Sequence, residues 1–280
     1  MSLNPLSNDP NHWQIFVRRY WDIIHQRSAD VIARENWYKR LPVVCQSRNP
    51  QQLTRQELSE IIIWKHTDPR WRIKPKQGLD NLSDKDISDI TINALSDHIP
   101  LEYKIRKLMN VHGWGIATVS AILTAGRPDL YGVIDKNVLN FLAKTIEEWR
   151  KIIKFDRNGD VILTKDIYYD FLDWIRIKSS LLSEGTQKKW SPREVEMALW
   201  AAAGAQMPKS VKNAESVLPK KDIGTGVSEK GSIHKYIERL KTTHKDRRKP
   251  KGIEALTGAF HNIVDTLSFT ASSTNCIISD

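Results

Sequence analysis

The sequence predicts a mainly α-helical protein, and three observations carry that prediction. Large apolar residues recur at steps of three and four, as they do on a helix with one buried face. Two of these stripes are preceded by a capping box, a Ser or Thr followed three residues later by an acid. Alternation of apolar and polar residues, which a half-buried strand requires, is nearly absent.

In chain order, Trp13, Phe16, Val17, Tyr20, Trp21 and Ile24 make the first stripe, and Val31, Ile32, Trp37 and Tyr38 continue the theme. Thr54 with Glu57 opens a helix over TRQELSEIIIWKH, and Ser83 with Asp86 opens another over SDKDISDITINALSDH. After Pro100, Leu101, Ile105, Leu108 and Met109 line up; after Gly115, Ile116, Val119, Ile122 and Leu123 do the same, so two helices flank His112-Gly113-Trp114-Gly115. A long helix is expected from about Lys136 past Trp149, a further one from Lys165 through Ile177, and Ser191-Pro192 caps a last core helix carrying Val195, Leu199 and Trp200. DRNGD, Asp156 to Asp160, has the opening of a calcium loop. However, Val161 stands where the loop's glycine belongs and Ile167 where its glutamate belongs, so a solvated turn is expected. From Met207 the composition turns to Pro, Lys, Gly and Ser. The expected organisation is a helical core over residues 1–206, a linker over 207–232, and a basic helical extension over 233–280 that contains HKDRRKPK.

Lys and Arg number 43 against 33 Asp and Glu, a formal charge of +10 that favours a polyanionic partner. Cys45 and Cys276 lack any metal-ligand spacing, so neither a disulfide framework nor a zinc or iron–sulfur site is indicated; no metal and no cofactor is expected. No basic leader with an apolar run opens the chain, and no apolar stretch reaches the roughly 18 residues of a membrane span. The expectation is a monomer inside the cell, cytoplasmic or nucleoid-associated, with no membrane partner.

The most informative stretch is VHGWGIATVSAIL, Val111 to Leu123. A glycine on each side of Trp114 allows a sharp turn between helices and leaves the first amides of the second helix uncovered, a ready site for an anion such as a DNA phosphate. An ordinary interhelical turn with a glycine cap explains the same residues. Asp135, in YGVID, precedes a helical pattern and reads as an N-cap.

Residues 108–142, LMNVHGWGIATVSAILTAGRPDLYGVIDKNVLNFL, resemble the helix-hairpin-helix region of the base-excision DNA glycosylase superfamily. Its pattern is approximately L-x-G-V-G-x-x-T-A-x-x-(I/L)-L, then a short loop and an aspartate opening the next helix. Gly113, Gly115, Ile122 and Leu123 fall on the pattern, and Asp135 falls on the catalytic aspartate. The resemblance extends more loosely over residues 50–206, where WSPREVEMALW looks like a closing helix. Trp114 departs from it by replacing a small aliphatic residue, and Thr118-Val119 departs in order.

The resemblance implies a two-lobed glycosylase-like core in which the hairpin residues Gly113, Trp114, Gly115, Ile116 and Thr118 bind double-stranded DNA. Lys104, Arg106, Lys107, Arg127 and Lys136 cluster around the hairpin as candidate phosphate contacts. A carboxylate held ionised at a helix N-terminus suits the positive charge that develops at a deoxyribose C1′ when a damaged or modified base departs. Strand-cleaving relatives carry a nucleophilic lysine where this chain has Ala117, so a monofunctional enzyme that leaves an abasic site is expected. The flipped base needs a stacking pocket. Trp37, Tyr38, Trp64 and Trp71 are candidates for it or for plain core packing, and Lys65 beside Trp64, like Arg70, is a candidate for facing the base or DNA or else a solvated charge. The alternatives are a non-catalytic helix-hairpin-helix protein in which Asp135 is only a cap, and an RNA-binding or adaptor protein. A base-sized cavity beside Asp135 would separate the first two. Nothing in the sequence names the base, so DNA repair and defence against modified phage DNA are both open.

Overall fold

A computed structural model describes residues 2–184 and 186–204; the sequence-predicted linker and basic extension lie outside the described residues. The described residues are mainly helical and contain no strand; an isolated bridge joins Phe155 to Val161.

Helix α1 (Pro10–His25) begins where Asp9 accepts the Asn11 amide at 2.9 Å and Pro10 fills the first turn. It buries Trp13, Phe16, Val17, Tyr20, Ile23 and Ile24, each worth roughly 1.5–3 kcal/mol when fully removed from water. Helix α2 (Ala29–Gln46) turns Glu35, Tyr38, Leu41 and Cys45 inward. Helices α3 (Arg55–Lys65) and α5 (Asp84–Leu95) start at the two expected capping boxes, Thr54 with Glu57 and Ser83 with Asp86. Between them lie a 3-10 turn (Pro69–Arg72) and the short α4 (Ile73–Asp80).

Helices α6 (Leu101–Met109) and α7 (Ile116–Gly126) flank the His112–Gly115 turn. All of α7 except Ala117 is buried, and its small residues let neighbours approach closely: a Cβ on Gly126 would sit 2.1 Å from a Leu95 methyl.

The long helix expected from Lys136 past Trp149 is two helices, α8 (Lys136–Thr145) and α9 (Glu147–Ile152). Ile146 breaks it with an extended backbone, φ −131° and ψ 117°, and a buried side chain. Thr145 donates its hydroxyl to the Phe141 carbonyl at 2.7 Å, a local bond that competes with helix continuation, and Glu147 and Glu148 then favour a fresh N-terminus. Helix α10 (Lys165–Ser183) outruns the expected end at Ile177. Helix α11 (Pro192–Ala202) starts at a third capping box, Ser191 with Glu194. DRNGD is a turn in which Asp156 accepts the Asn158 and Asp160 amides, each at 2.9 Å.

Helix α11 packs on α1, α8 and α10, while α7 packs on α2, α3, α5 and α6. The extended link from α7 to α8 is pinned from three sides. The Ile134 amide donates to Ser120 Oγ at 3.1 Å, Arg176 Nε to the Leu130 carbonyl at 2.8 Å, and the Arg193 amide to the Pro128 carbonyl at 3.3 Å. Asp135 is thereby set at a fixed place at the start of α8. Among the described residues no helix is long and apolar enough to cross a membrane.

Candidate functional site

Asp135 is the N-cap of α8, extended at φ −139° and ψ 142°, with Oδ1 accepting the Asn137 amide at 2.8 Å. Its Oδ2 accepts from Lys65 Nζ at 3.2 Å, and the same ammonium donates to the Ile134 carbonyl at 3.0 Å. Lys65 is the last residue of α3, so the ion pair ties the end of one helix to the start of another. Burial pushes the Asp135 carboxyl up, but the Lys65 charge, the Asn137 and Val138 amides and the Lys65 hydrogen bond outweigh it and hold the carboxyl below its ordinary value. A quarter of the side chain remains open to solvent, so the charge is held and reachable.

It faces a cavity of about 390 Å³. Pockets of that size hold small organic ligands. Asp135, Lys65, Trp64, Glu35, Arg193 and Glu196 are among its lining. The Trp64 ring stacks on Tyr38, centroids 3.8 Å apart and planes within 4°, and donates its Nε1 to Glu35 Oε2 at 2.6 Å. Tyr38 is anchored in turn by its hydroxyl, which donates to the Ala121 carbonyl at 2.7 Å. One wall is therefore an indole fixed on both its far face and its edge.

A buried charge cluster underlies that wall. Arg193 is 8% exposed; it donates to Glu35 Oε1 at 3.2 Å, to Glu196, and to the Tyr20 hydroxyl at 3.0 Å, and its guanidinium lies 5.3 Å from the Trp64 ring centroid. Burial alone would lower the guanidinium pKa, but the surrounding Glu196, Tyr20 and Glu35 raise it well above its ordinary value. Burial lifts the Glu196 carboxyl in spite of Arg193. Arg27, Arg34, Tyr20, Asn137 and Trp200 add cations, amide and aromatic surface to the lining.

Of the residues proposed from sequence for a base pocket, Trp64 and Lys65 line the cavity, Tyr38 backs it, and Trp37, half-buried on α2, is not part of its lining. The set proposed for DNA divides. Gly113, Gly115 and Lys107 are exposed. Lys136 is half exposed and paired with Asp160 at 3.5 Å. Arg127 is held by Asp97 and Asp129. Trp114, Ile116, Thr118 and Lys104 point inward: Trp114 donates Nε1 to the Pro75 carbonyl at 3.0 Å, Thr118 shares a hydrogen bond with His66 at 2.9 Å, and Lys104 donates to the Tyr131 hydroxyl at 3.1 Å. Trp114 thereby ties the turn to α4, Thr118 ties α7 to the end of α3, and Lys104 ties α6 to the α7–α8 link. The N-cap of α7 is the exposed Gly115, which offers no side-chain cap to the first-turn amides.

Glu35, Arg193 and Glu196 escaped the sequence reading. Arg193, Glu196 and Trp200 recur at steps of three and four in WSPREVEMALW and so share a face of α11. Charged residues on a helix face that also carries a large aromatic were the available signal.

The ion pair gives a direct test of the electrostatics. Lys65→Met leaves burial opposed only by the backbone amides, so the Asp135 carboxyl should titrate at a higher pH, read by carbon NMR of labelled aspartate. Because the folded pKa of Asp135 in the parent is depressed, its contribution to stability is present above the unfolded value and fades as pH falls through the folded one; in Lys65→Met that contribution shrinks. An unmoved titration would mean Lys65 does not hold the charge. His66 adds a second pH dependence: burial, Lys65 and Arg72 bring its pKa down to about 4, so stability falls as the pH drops from roughly 6.5 toward that value, and His66→Gln should flatten this part of the curve.

The chain matches no protein-family model and no curated protein.

Proposed function

We propose that the protein is a monofunctional DNA N-glycosylase, acting as a monomer inside the cell, that draws a damaged or modified base out of duplex DNA and releases it, leaving an abasic site. The observation that carries this reading is the cavity of about 390 Å³ with the Asp135 carboxylate in its wall. A residue that served only as a helix cap has no need of such a space, whereas a glycosylase needs one for the extruded base. The helix-hairpin-helix resemblance of residues 108–142 and the formal charge of +10 point to the same substrate.

In this reaction the C1′–N bond breaks with its electron pair leaving on the base, which takes a proton. Asp135 offsets the positive charge that grows on C1′ and the ring oxygen; a water oxygen then bonds to C1′ and sheds a proton. Trp64 offers a fixed face for stacking, and Glu35, Glu196 and Arg193 offer acceptors and a donor for the base edge. Ala117 cannot form an imine, and Lys65 is engaged by the Asp135 carboxylate at 3.2 Å and the Ile134 carbonyl at 3.0 Å. Screening duplexes and phage genomes with different altered bases for alkali-labile sites tests the proposal; binding of every duplex without any base release would leave the non-catalytic reading.

Phosphate capture is assigned to the α6–α7 turn. Gly115 has an ordinary φ of −78° and a Cβ there would meet nothing within 4 Å, so Gly115→Asp should fold normally while its charge and bulk weaken binding to any duplex, by about tenfold on the scale of one lost charged contact. Gly113→Ala should behave differently. Its φ is +76° and the new Cβ would lie 2.5 Å from the Lys74 carbonyl carbon, so stability itself should fall, by roughly 1–3 kcal/mol. Thermal melts with filter binding at several salt concentrations separate the two; equal duplex affinity of Gly115→Asp and parent would remove the turn from the interface.

A further inference from the structure

Helix α7 is buried along nearly its whole length, and most of what it buries is apolar. Thr118 and Ser120 depart from that pattern, at 1% and 0% exposure. A hydroxyl taken out of water costs free energy unless it finds a partner, and an apolar side chain in its place would avoid the cost. Thr124, also buried on α7, is satisfied within the helix by donating to the Ser120 carbonyl at 2.8 Å. The other two reach out of it. Thr118 Oγ1 shares a hydrogen bond with His66 Nε2 at 2.9 Å, and Ser120 Oγ accepts the Ile134 amide at 3.1 Å while donating to the Ala117 carbonyl at 2.9 Å. Residues two apart on a helix point to different sides, so one hydroxyl meets the end of α3 and the other meets the link that leads into α8.

The two residues held in this way are the chain neighbours of the Lys65–Asp135 ion pair: His66 follows Lys65, and Ile134 precedes Asp135. Ile134 is gripped twice, its amide by Ser120 and its carbonyl by Lys65 Nζ at 3.0 Å. His66 is gripped twice as well, its ring by Thr118 and its carbonyl by Arg72 Nε at 2.5 Å. We propose that Thr118 and Ser120 are positioning residues that set Lys65 against Asp135 and so aim the carboxylate at the cavity. Their part in base release rests on the glycosylase reading; their hold on the ion pair does not. A lysine ammonium rides on a flexible four-carbon stem, so its place is defined only when the backbone that carries it is fixed. Stabilising a developing charge requires the opposite charge to be in place beforehand, and a misplacement of about 1 Å can cost on the order of 10²-fold in rate. Because α7 begins at Gly115, the same helix also relates the turn assigned to phosphate capture to the carboxylate.

Two readouts on the full chain test the proposal. The first needs no substrate and follows the Asp135 titration by carbon NMR of labelled aspartate. Thr118→Val keeps the shape and drops the hydroxyl; it and Ser120→Ala should each move the titration to higher pH, because a loosened Lys65 holds the charge less well. Thr118→Ser keeps the hydroxyl and drops a buried methyl, so it should melt below the parent yet titrate with it. A role in stability alone would leave the titration unmoved in every variant. The second readout is single-turnover base release from a duplex found by the alkali screen. Release should slow by about tenfold in Thr118→Val and Ser120→Ala at unchanged duplex affinity, and recover in Thr118→Ser. An unmoved titration in Thr118→Val and Ser120→Ala overturns the proposal whatever the substrate. A moved titration with release at the parent rate overturns their part in the reaction. A moved titration with no base released by the parent from any duplex upholds their hold on the ion pair and overturns the glycosylase reading instead.

Discussion

Asp135→Asn should fold, bind duplex DNA like the parent and release its base at least on the order of 10²-fold more slowly, the scale of removing one preorganised electrostatic partner from a developing charge. Asparagine keeps the shape of the side chain and its carbonyl oxygen can still accept the Asn137 amide, so the cap at the start of α8 survives. What goes is the negative charge that Lys65 and the helix amides hold in place against burial. A melt within a degree or two of the parent, together with unchanged affinity, would confine the loss to the chemical step. Undiminished base release would remove Asp135 from the chemistry and leave it as a cap.

The second large effect concerns the cluster under the cavity. Arg193→Met should cost roughly 3–5 kcal/mol, because it strands the buried Glu35 and Glu196 carboxylates without their cation. For a domain of this size that is on the order of 10 °C in melting temperature. The deficit should narrow as the pH is lowered, since carboxylates left in a dry site take up protons more readily than in the unfolded chain. Changing Glu35, Arg193 and Glu196 together to Gln, Met and Gln should recover much of the stability, as removing a whole buried charge set often does. A single variant as stable as the parent at neutral pH would show that the cluster contributes no net stability.

Much of the helical framework was legible because it is written locally. Thr54 with Glu57 and Ser83 with Asp86 announce their helices in four residues each, and Asp135 announces α8 by standing before an apolar stripe. The break at Ile146 was not legible, since Leu142, Ile146 and Trp149 continue a helical stripe across it and only the tertiary burial of Ile146 selects an extended backbone there. Helix α4 was missed for the opposite reason, as IKPKQGLD has no apolar stripe to read. The candidate site was half legible. Asp135, Trp64 and Lys65 stood out by residue type, but Arg193 and Glu35 are 158 residues apart and no local pattern couples them. Trp114 and Lys104 illustrate the converse: a tryptophan between glycines and a lysine in a basic stretch look exposed in sequence, yet both are buried, with their polar atoms satisfied by the distant Pro75 carbonyl and Tyr131 hydroxyl.

The most direct test of the central claim is product analysis with the full chain on a duplex whose altered base the alkali screen has identified. Free base, measured by mass spectrometry, should appear in equal amount to alkali-labile sites, with the strand intact until alkali or heat is applied and no covalent adduct trapped by borohydride. Strand cleavage with a borohydride adduct would assign a nucleophilic amine, Lys65 foremost, and contradict the monofunctional mechanism. Tight binding across all altered duplexes with no free base from any of them would contradict the glycosylase itself.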